Sequence, residues 1–75
     1  MIAIVGAGAF GTALAVSLGR EGHEVRLWAR DAGQVAEMTA TRRNDSRLAG
    51  IDLPESVSVT AEIGDLRGAR VALLA

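Results

Sequence analysis

Gly6-Ala7-Gly8-Ala9-Phe10-Gly11 follows the apolar run Ile2 to Val5 and opens Thr12 to Leu18, a segment without a charged side chain. That order predicts a strand, a tight glycine turn and a buried helix. In a G-x-G-x-x-G turn of this kind each glycine has its own task. Gly6 turns the chain, Gly8 lets the backbone approach a pyrophosphate, and Gly11 lets helix and strand pack closely. The anion would rest on the helix N-terminus, where unpaired N–H groups and the positive end of the helix dipole converge. No lysine is needed there, and the chain contains none. A glycine turn alone is a weak signal, since many are only turns. Here strand residues precede it, helix residues follow, and a second strand-like run comes at Glu24 to Ala29, which is the context a dinucleotide-binding βαβ unit requires.

Working outward, Ile2-Ala3-Ile4-Val5 is continuously apolar, as expected of a central parallel strand covered on both faces. Phe10, Ala13, Leu14, Val16 and Leu18 follow helical spacing, and Gly19, Arg20 and Gly22 end that helix with left-handed cap chemistry and a cation at the negative end of the dipole. His23 has no ligand-spaced partner and reads as a solvated turn residue. Glu24 to Ala29 alternates, with Val25, Leu27 and Ala29 on one face and Glu24, Arg26 and Trp28 on the other.

The end of that second strand is where a dinucleotide site distinguishes its ribose. A carboxylate there accepts from the ribose hydroxyls and repels a 2′-phosphate, whereas arginine does the reverse. Counting about twenty residues from Gly11 reaches Asp31, which suggests NAD. Strand register instead makes Arg30 the first side chain past the strand, and Asp31 with Gln34 fits a capping box for the next helix. The cap is favoured for Asp31, and a 2′-phosphate or adenine contact for Arg30, against the plainer alternative of an exposed loop arginine. Ala32 to about Thr41 is the second crossover helix. Arg42 to Arg47 reads on composition as a solvated loop, Asp52-Leu53-Pro54 as a turn and Ser56 to Thr60 as a short third strand. Ala61 to Arg67 suits two helical turns, and Val71 to Ala75 a buried fourth strand.

The fold class is therefore α/β, a Rossmann-type doubly wound parallel sheet that is incomplete, with its first three to four strands and their crossover helices. Seventy-five residues amount to about half of a complete dinucleotide fold, so the chain is expected to be the N-terminal half of such a domain. A net charge of −1 leaves no electrostatic footprint for nucleic acid. The longest charge-free stretch, Met1 to Gly19, is interrupted by four glycines and is not read as a membrane insertion. With no cysteine, disulfides and thiolate metal sites are excluded. The strand starting at residue 2 leaves no room for a targeting peptide, and a cytoplasmic location is expected.

The segments Gly6-Ala-Gly-Ala-Phe-Gly-Thr-Ala-Leu-Ala15 and Gly22-His-Glu-Val-Arg-Leu-Trp-Ala-Arg30 closely resemble the N-terminus of bacterial NAD(P)-dependent glycerol-3-phosphate dehydrogenases. Arg42-x-Asn44, Leu48-x-Gly50 and Leu53-Pro54 resemble the segment after that family's second helix, so the resemblance covers essentially the whole chain. It implies an oxidoreductase of glycerophospholipid synthesis that interconverts glycerol 3-phosphate and dihydroxyacetone phosphate, with NADP favoured over NAD. It also implies cofactor contacts at Ala9, Phe10 and Arg30, beside Gly6, Gly8 and Gly11 of the glycine motif, and a homo-oligomer when full length; Arg47 joins the candidates although it departs from the family, because an arginine there can reach a phosphate. Ala9 replaces the family's common serine and offers only its N–H. Arg47 stands where an aromatic residue is usual, and Ala49 where proline is.

The family's catalytic lysine and helical substrate domain lie beyond residue 75, so no catalytic or metal-binding residue is expected within this chain, and the phosphorylated substrate is expected only in a longer protein. Two other readings share the glycine motif: a non-catalytic nucleotide-binding module, and a related reductase such as a ketopantoate reductase. A flavoprotein fits less well, because Ala29 occupies the strand end where such units usually place glutamate.

Overall fold

The computed structural model covers residues 1–75. In chain order the elements are β1 (Ile2–Val5), α1 (Ala9–Arg20), β2 (Val25–Trp28), α2 (Ala32–Thr41), β3 (Arg43–Asn44), β4 (Leu48–Asp52), β5 (Val57–Thr60), a 3₁₀ turn (Ile63–Leu66) and β6 (Val71–Leu74). Four strands form one parallel sheet in the order β5-β2-β1-β6, and β3 with β4 forms a separate antiparallel hairpin. The chain steps outward from β1 to β2 to β5, then crosses to the far side of β1 to lay down β6. Strand order therefore reverses between β1 and β6.

Register sorts the side chains of the sheet. Ile2 and Ile4 lie beside Val25 and Leu27, and these beside Val57 and Val59, so all six share one face of the parallel sheet. Ile4, Val25, Leu27 and Val57 are buried there in a core completed by Ala7, Ala15, Val16, Ala29, Met38 and Leu53. Fully burying a side chain such as Ile4 or Leu27 is worth about 1.5–3 kcal/mol. The opposite face carries Ala3, Arg26, Trp28 and Thr60, and the crossover to β6 runs over it. The Trp28 Nε1–H donates to the Ala61 carbonyl at 3.0 Å, Arg26 donates to the Asp65 carbonyl at 2.6 Å, and the Thr60 hydroxyl bonds the Asp65 carboxylate.

Helix α1 rests on the sheet through Gly11, Thr12, Ala15, Val16 and Gly19, its buried residues. The expected stripe is only partly met: Val16 is buried and Leu14 and Leu18 pack against the core, but Phe10 is 70% exposed, and Ala13 is exposed as well. Small residues win the inner face because they let the helix axis come close to the sheet. At Gly11 the approach is extreme, since a Cβ there would collide with the Gly6 carbonyl oxygen. At Gly19 a Cβ would stand 2.7 Å from Val57 Cγ2 and 3.0 Å from the Pro54 ring. The left-handed turn after the helix falls on Gly22, with φ +93°, rather than on Gly19.

Three further expectations are corrected. Arg42 to Arg47 is not a simple solvated loop: it carries β3 and the turn of the β3–β4 hairpin, docked so that Asn44 is 3% exposed. Ala61 to Arg67 makes only a single 3₁₀ turn, because its two large apolar residues do not form a stripe long enough to bury, and Ile63 is left 60% exposed. β6 does pair with β1 in parallel, but it is not buried within residues 1–75, which lay no strand on its outer side: Leu74 is 85% exposed and Leu73 packs against the core.

The close approach of α1 to β1 has a measurable consequence. Gly11→Ala is expected to cost about 1–3 kcal/mol through overpacking, seen as a lower unfolding midpoint of the intact gene product. An unchanged midpoint would show that the Gly6–Gly11 contact is not a constraint.

Candidate functional site: the glycine turn at the strand-order reversal

Gly6 leaves β1 with φ +123°, a region open to glycine and strained for other residues. Its N–H donates to the Trp28 carbonyl at 2.9 Å, which ties the turn to the end of β2. Gly8 is the N-cap of α1 in extended backbone, φ −77° and ψ −168°, with no side chain capping the helix. A Cβ added at Gly8 would meet nothing in the chain within 4 Å. The three glycines thus divide as their spacing predicts: Gly6 and Gly11 are constrained by the protein's own backbone, and Gly8 faces open space.

The first intrahelical bond of α1 runs from the Thr12 N–H to the Gly8 carbonyl at 3.0 Å, and the N–H groups of Gly8, Ala9, Phe10 and Gly11 donate to no backbone acceptor. No acidic residue stands in the first turn of α1. The result is a set of uncommitted donors at a positive helix end with room in front of them, an arrangement suited to an anion. Ala9 contributes its N–H there, and exposed Phe10 is the large side chain at the same end.

Behind the turn, the Ala7 carbonyl accepts two side-chain amide bonds, from Asn44 Nδ2 at 2.9 Å and Gln34 Nε2 at 3.1 Å. Asn44 Nδ2 also donates to Thr12 Oγ1 at 2.9 Å, and Gln34 Nε2 donates to Asn44 Oδ1 at 3.4 Å. These four residues come from the turn, α1, α2 and the hairpin, and no buried side-chain polar atom is left without a partner. Sequence reasoning missed this group. Asn44 carries no local signal beyond its place in the family-like segment, and Gln34 had been assigned to a capping box. The box forms only by half: the Asp31 carboxylate accepts from the N–H groups of Gly33 at 2.7 Å and Gln34 at 3.3 Å, but the Gln34 side chain turns away to Ala7.

The cap reading of Asp31 therefore holds geometrically. Arg30, the residue before it, lies exposed just past the end of β2, and its guanidinium makes no hydrogen bond or ion pair within the chain. Arg47 is also exposed, in the β3–β4 turn, where its N–H donates to the Asn44 carbonyl at 3.0 Å. Both arginines are thus free cations on segments tied to the glycine turn, Arg30 through β2 and Arg47 through Asn44. The other hairpin arginines are committed. Arg42, a left-handed C-cap, donates to the carbonyls of Pro54 and Val57, both at 2.7 Å. Arg43 donates to Asp52 at 2.7 Å, and that bond and charge raise its already high pKa.

Both cavities of the chain lie elsewhere. One of about 450 Å³ separates α1 from the hairpin, between Val16, Arg20, Leu48 and Ile51. Another of about 310 Å³ lies at the opposite end of the sheet, by Met1, His23 and Arg70. No three His, Cys, Asp or Glu residues are grouped so as to hold a metal, and no helix is long and apolar enough to cross a membrane.

A parallel sheet whose strand order reverses beside a glycine turn is of the Rossmann type, in which ligands bind outside the carboxyl ends of the strands at that reversal. Over residues 1–75 the chain matches the family described as NAD-dependent glycerol-3-phosphate dehydrogenase N-terminus, and it belongs to that family. It is 55% identical over 74 residues to a glycerol-3-phosphate dehydrogenase [NAD(P)+] of Roseobacter denitrificans, an alignment covering 99% of this chain and 23% of the relative. The crystal structure of the Coxiella burnetii glycerol-3-phosphate dehydrogenase superposes with a TM-score of 0.93 at 39% identity, over 97% of this chain and 23% of that one. The Plasmodium falciparum enzyme, at 23% identity and a TM-score of 0.81 over 97% of this chain and 23% of its own, shares the fold. The chain thus spans about a quarter of the length of the relatives it matches.

Asp31→Ala is expected to cost about 1 kcal/mol of stability through loss of the α2 cap, and Asp31→Asn only a few tenths. Thermal unfolding of the two variants separates this role from that of a ribose acceptor, for which neither change would move the midpoint.

Proposed function

We propose that residues 1–75 hold the pyrophosphate and adenosine portions of NADP or NAD, as the N-terminal half of the dinucleotide-binding domain of a glycerol-3-phosphate dehydrogenase. The observation that carries this reading is the Gly8 cradle: the four N–H groups from Gly8 to Gly11 have no backbone acceptor, and a Cβ added at Gly8 would meet no protein within 4 Å. A pyrophosphate fits there on chemical grounds, because backbone N–H donors and a helix N-terminus supply positive potential without a mobile side chain. Gly6 and Gly11 fix the turn, Ala9 offers a donor, and Phe10 gives an apolar surface beside it.

Arg30 and Arg47 are proposed to meet the adenosine side of the cofactor, with Arg30 on the 2′-phosphate, which favours NADP. The unpaired state of both guanidiniums supports this, since neither must break a bond within the protein to reach a phosphate. Bidentate recognition of a phosphate is a task for which arginine is well suited.

When bound, the cofactor supplies the hydride that interconverts dihydroxyacetone phosphate and glycerol 3-phosphate; the names of the relatives support this choice of reaction. Residues 1–75 contribute binding and orientation, and the groups that touch the substrate are assigned to a helical domain outside them. The reading carries with it a cytoplasmic, homo-oligomeric enzyme that feeds glycerophospholipid synthesis.

Three measurements on the intact gene product test the proposal. Dihydroxyacetone phosphate should be reduced with NADPH or NADH, and failure with both would overturn the assignment. Gly8→Ala should leave the unfolding midpoint nearly unchanged, because the substitution is sterically free within the protein, while weakening both cofactors at least about tenfold. Arg30→Ala should raise the Kd for NADPH by about tenfold or more and leave that for NADH within about twofold; equal weakening would remove Arg30 from the 2′-phosphate.

A further inference from the structure

The Ala7 carbonyl has a bonding choice. As residue i−4 to Gly11, it is the acceptor that the Gly11 N–H would take if α1 began one residue earlier. In the structure that bond is not made: Thr12 is the first residue of α1 whose N–H finds an acceptor. The oxygen is instead claimed from behind by Asn44 Nδ2 at 2.9 Å and Gln34 Nε2 at 3.1 Å. Asn44 is fixed in turn, being 3% exposed and bonded to Thr12 Oγ1 at 2.9 Å. Every peptide bond is trans, so the Ala7 oxygen and the Gly8 N–H point in opposite directions. Pulling the oxygen toward α2 and the hairpin turns the Gly8 N–H the other way, away from those elements.

We infer that Asn44 and Gln34 are positioning residues for the cofactor. Their paired amides hold the Ala7–Gly8 peptide in its anion-accepting orientation and keep the Gly11 N–H from extending the helix by one more hydrogen bond. The inference rests on the dinucleotide reading above and adds a role for two residues that touch no ligand. Its energetic logic is preorganisation: the donors are aimed before the anion arrives, so binding does not have to order the loop. It also explains why a hairpin packed beside α1 and α2 carries a buried asparagine. Burying that amide would be costly without partners, and here both bonds of its Nδ2 go to the turn and the first turn of α1 while its Oδ1 accepts from Gln34.

Gln34 offers the cleaner test, because it is only partly buried and its backbone N–H, not its side chain, completes the α2 cap. In the intact gene product, Gln34→Met keeps the length of the side chain and removes its donors. Asn44→Ser shortens the second donor, and Asn44→Asp replaces the N–H groups with oxygens facing the Ala7 carbonyl. Expected results are a rise of about five- to tenfold in the Kd of NADPH and NADH alike for Gln34→Met. A larger, again equal, rise is expected for Asn44→Asp, and a smaller one for Asn44→Ser. Equal weakening distinguishes the clamp from Arg30, whose loss discriminates between the two cofactors.

A purely structural role would lower the unfolding midpoint without these changes, so a second readout is the carbonyl ¹³C resonance of Ala7 with the amide resonances of Gly8 to Gly11. Both should move in the ligand-free Gln34→Met protein. Unchanged cofactor affinity in Gln34→Met and Asn44→Asp, or an unmoved Ala7 carbonyl resonance, would overturn the inference while leaving the dinucleotide reading intact. Failure of the unsubstituted protein to bind either dinucleotide would overturn both.

Discussion

Helix α1 approaches β1 so closely that a single methyl group at residue 11 would occupy the place of the Gly6 carbonyl oxygen. This steric constraint governs the whole molecule. It requires glycine at both ends of the turn, one to leave the strand at positive φ and one to accept the contact. It also selects the inner face of the helix: Gly11, Thr12, Ala15, Val16 and Gly19 are buried, while bulkier Phe10 is displaced to the outside. Interiors packed to crystal-like density leave no slack for a larger residue on that face. The two glycines thus fix the ends of the turn, and the orientation of the Ala7–Gly8 peptide between them is left to the side-chain amides that bond the Ala7 carbonyl.

The turn has a protein side and an open side. On the protein side lie the Trp28 carbonyl, the Ala75 backbone, and the amides of Asn44 and Gln34, which between them bond or block the backbone of Gly6, Ala7 and Gly11. Away from these contacts, the N–H groups of Gly8 to Gly11 have no backbone acceptor, and Arg30 and Arg47 are exposed. Arg43 is neutralised by Asp52 on the exposed hairpin, a contact that raises the arginine's pKa but is too solvated to count heavily in stability. Arg42 is spent on carbonyls. Asp31 is spent on the α2 cap. Asp31 and Arg30, adjacent in sequence, thus differ in role, one holding a helix and one exposed past the end of β2.

Much of this was legible before any coordinates. The continuous apolar run of β1, the glycine spacing and the alternation of Val25, Leu27 and Ala29 reflect local rules, in which strand periodicity and turn stereochemistry need only neighbouring residues. The second helix and the third strand fall where periodicity puts them, and Asp31 is the cap that its position before Ala32 implies. Less legible was the buried face of α1. Hydrophobicity pointed to Phe10 and Ala13, whereas the closeness of the sheet selected the smallest residues. The 3₁₀ turn in place of two helical turns, and the edge position of β6, also depend on what the rest of the sheet offers for burial.

Sequence by itself determined the strand–turn–helix unit, the parallel α/β class and the division of labour among the three glycines, because each follows from backbone stereochemistry and short-range pattern. Only tertiary structure decided what holds the turn. Asn44 lies thirty-seven residues from Ala7 and Gln34 twenty-seven, and each sits in a segment whose local pattern suggested another use, a solvated loop for one and a capping box for the other. A buried side-chain amide bonds whichever carbonyl the fold brings within 3 Å of it, and no local sequence rule names that partner.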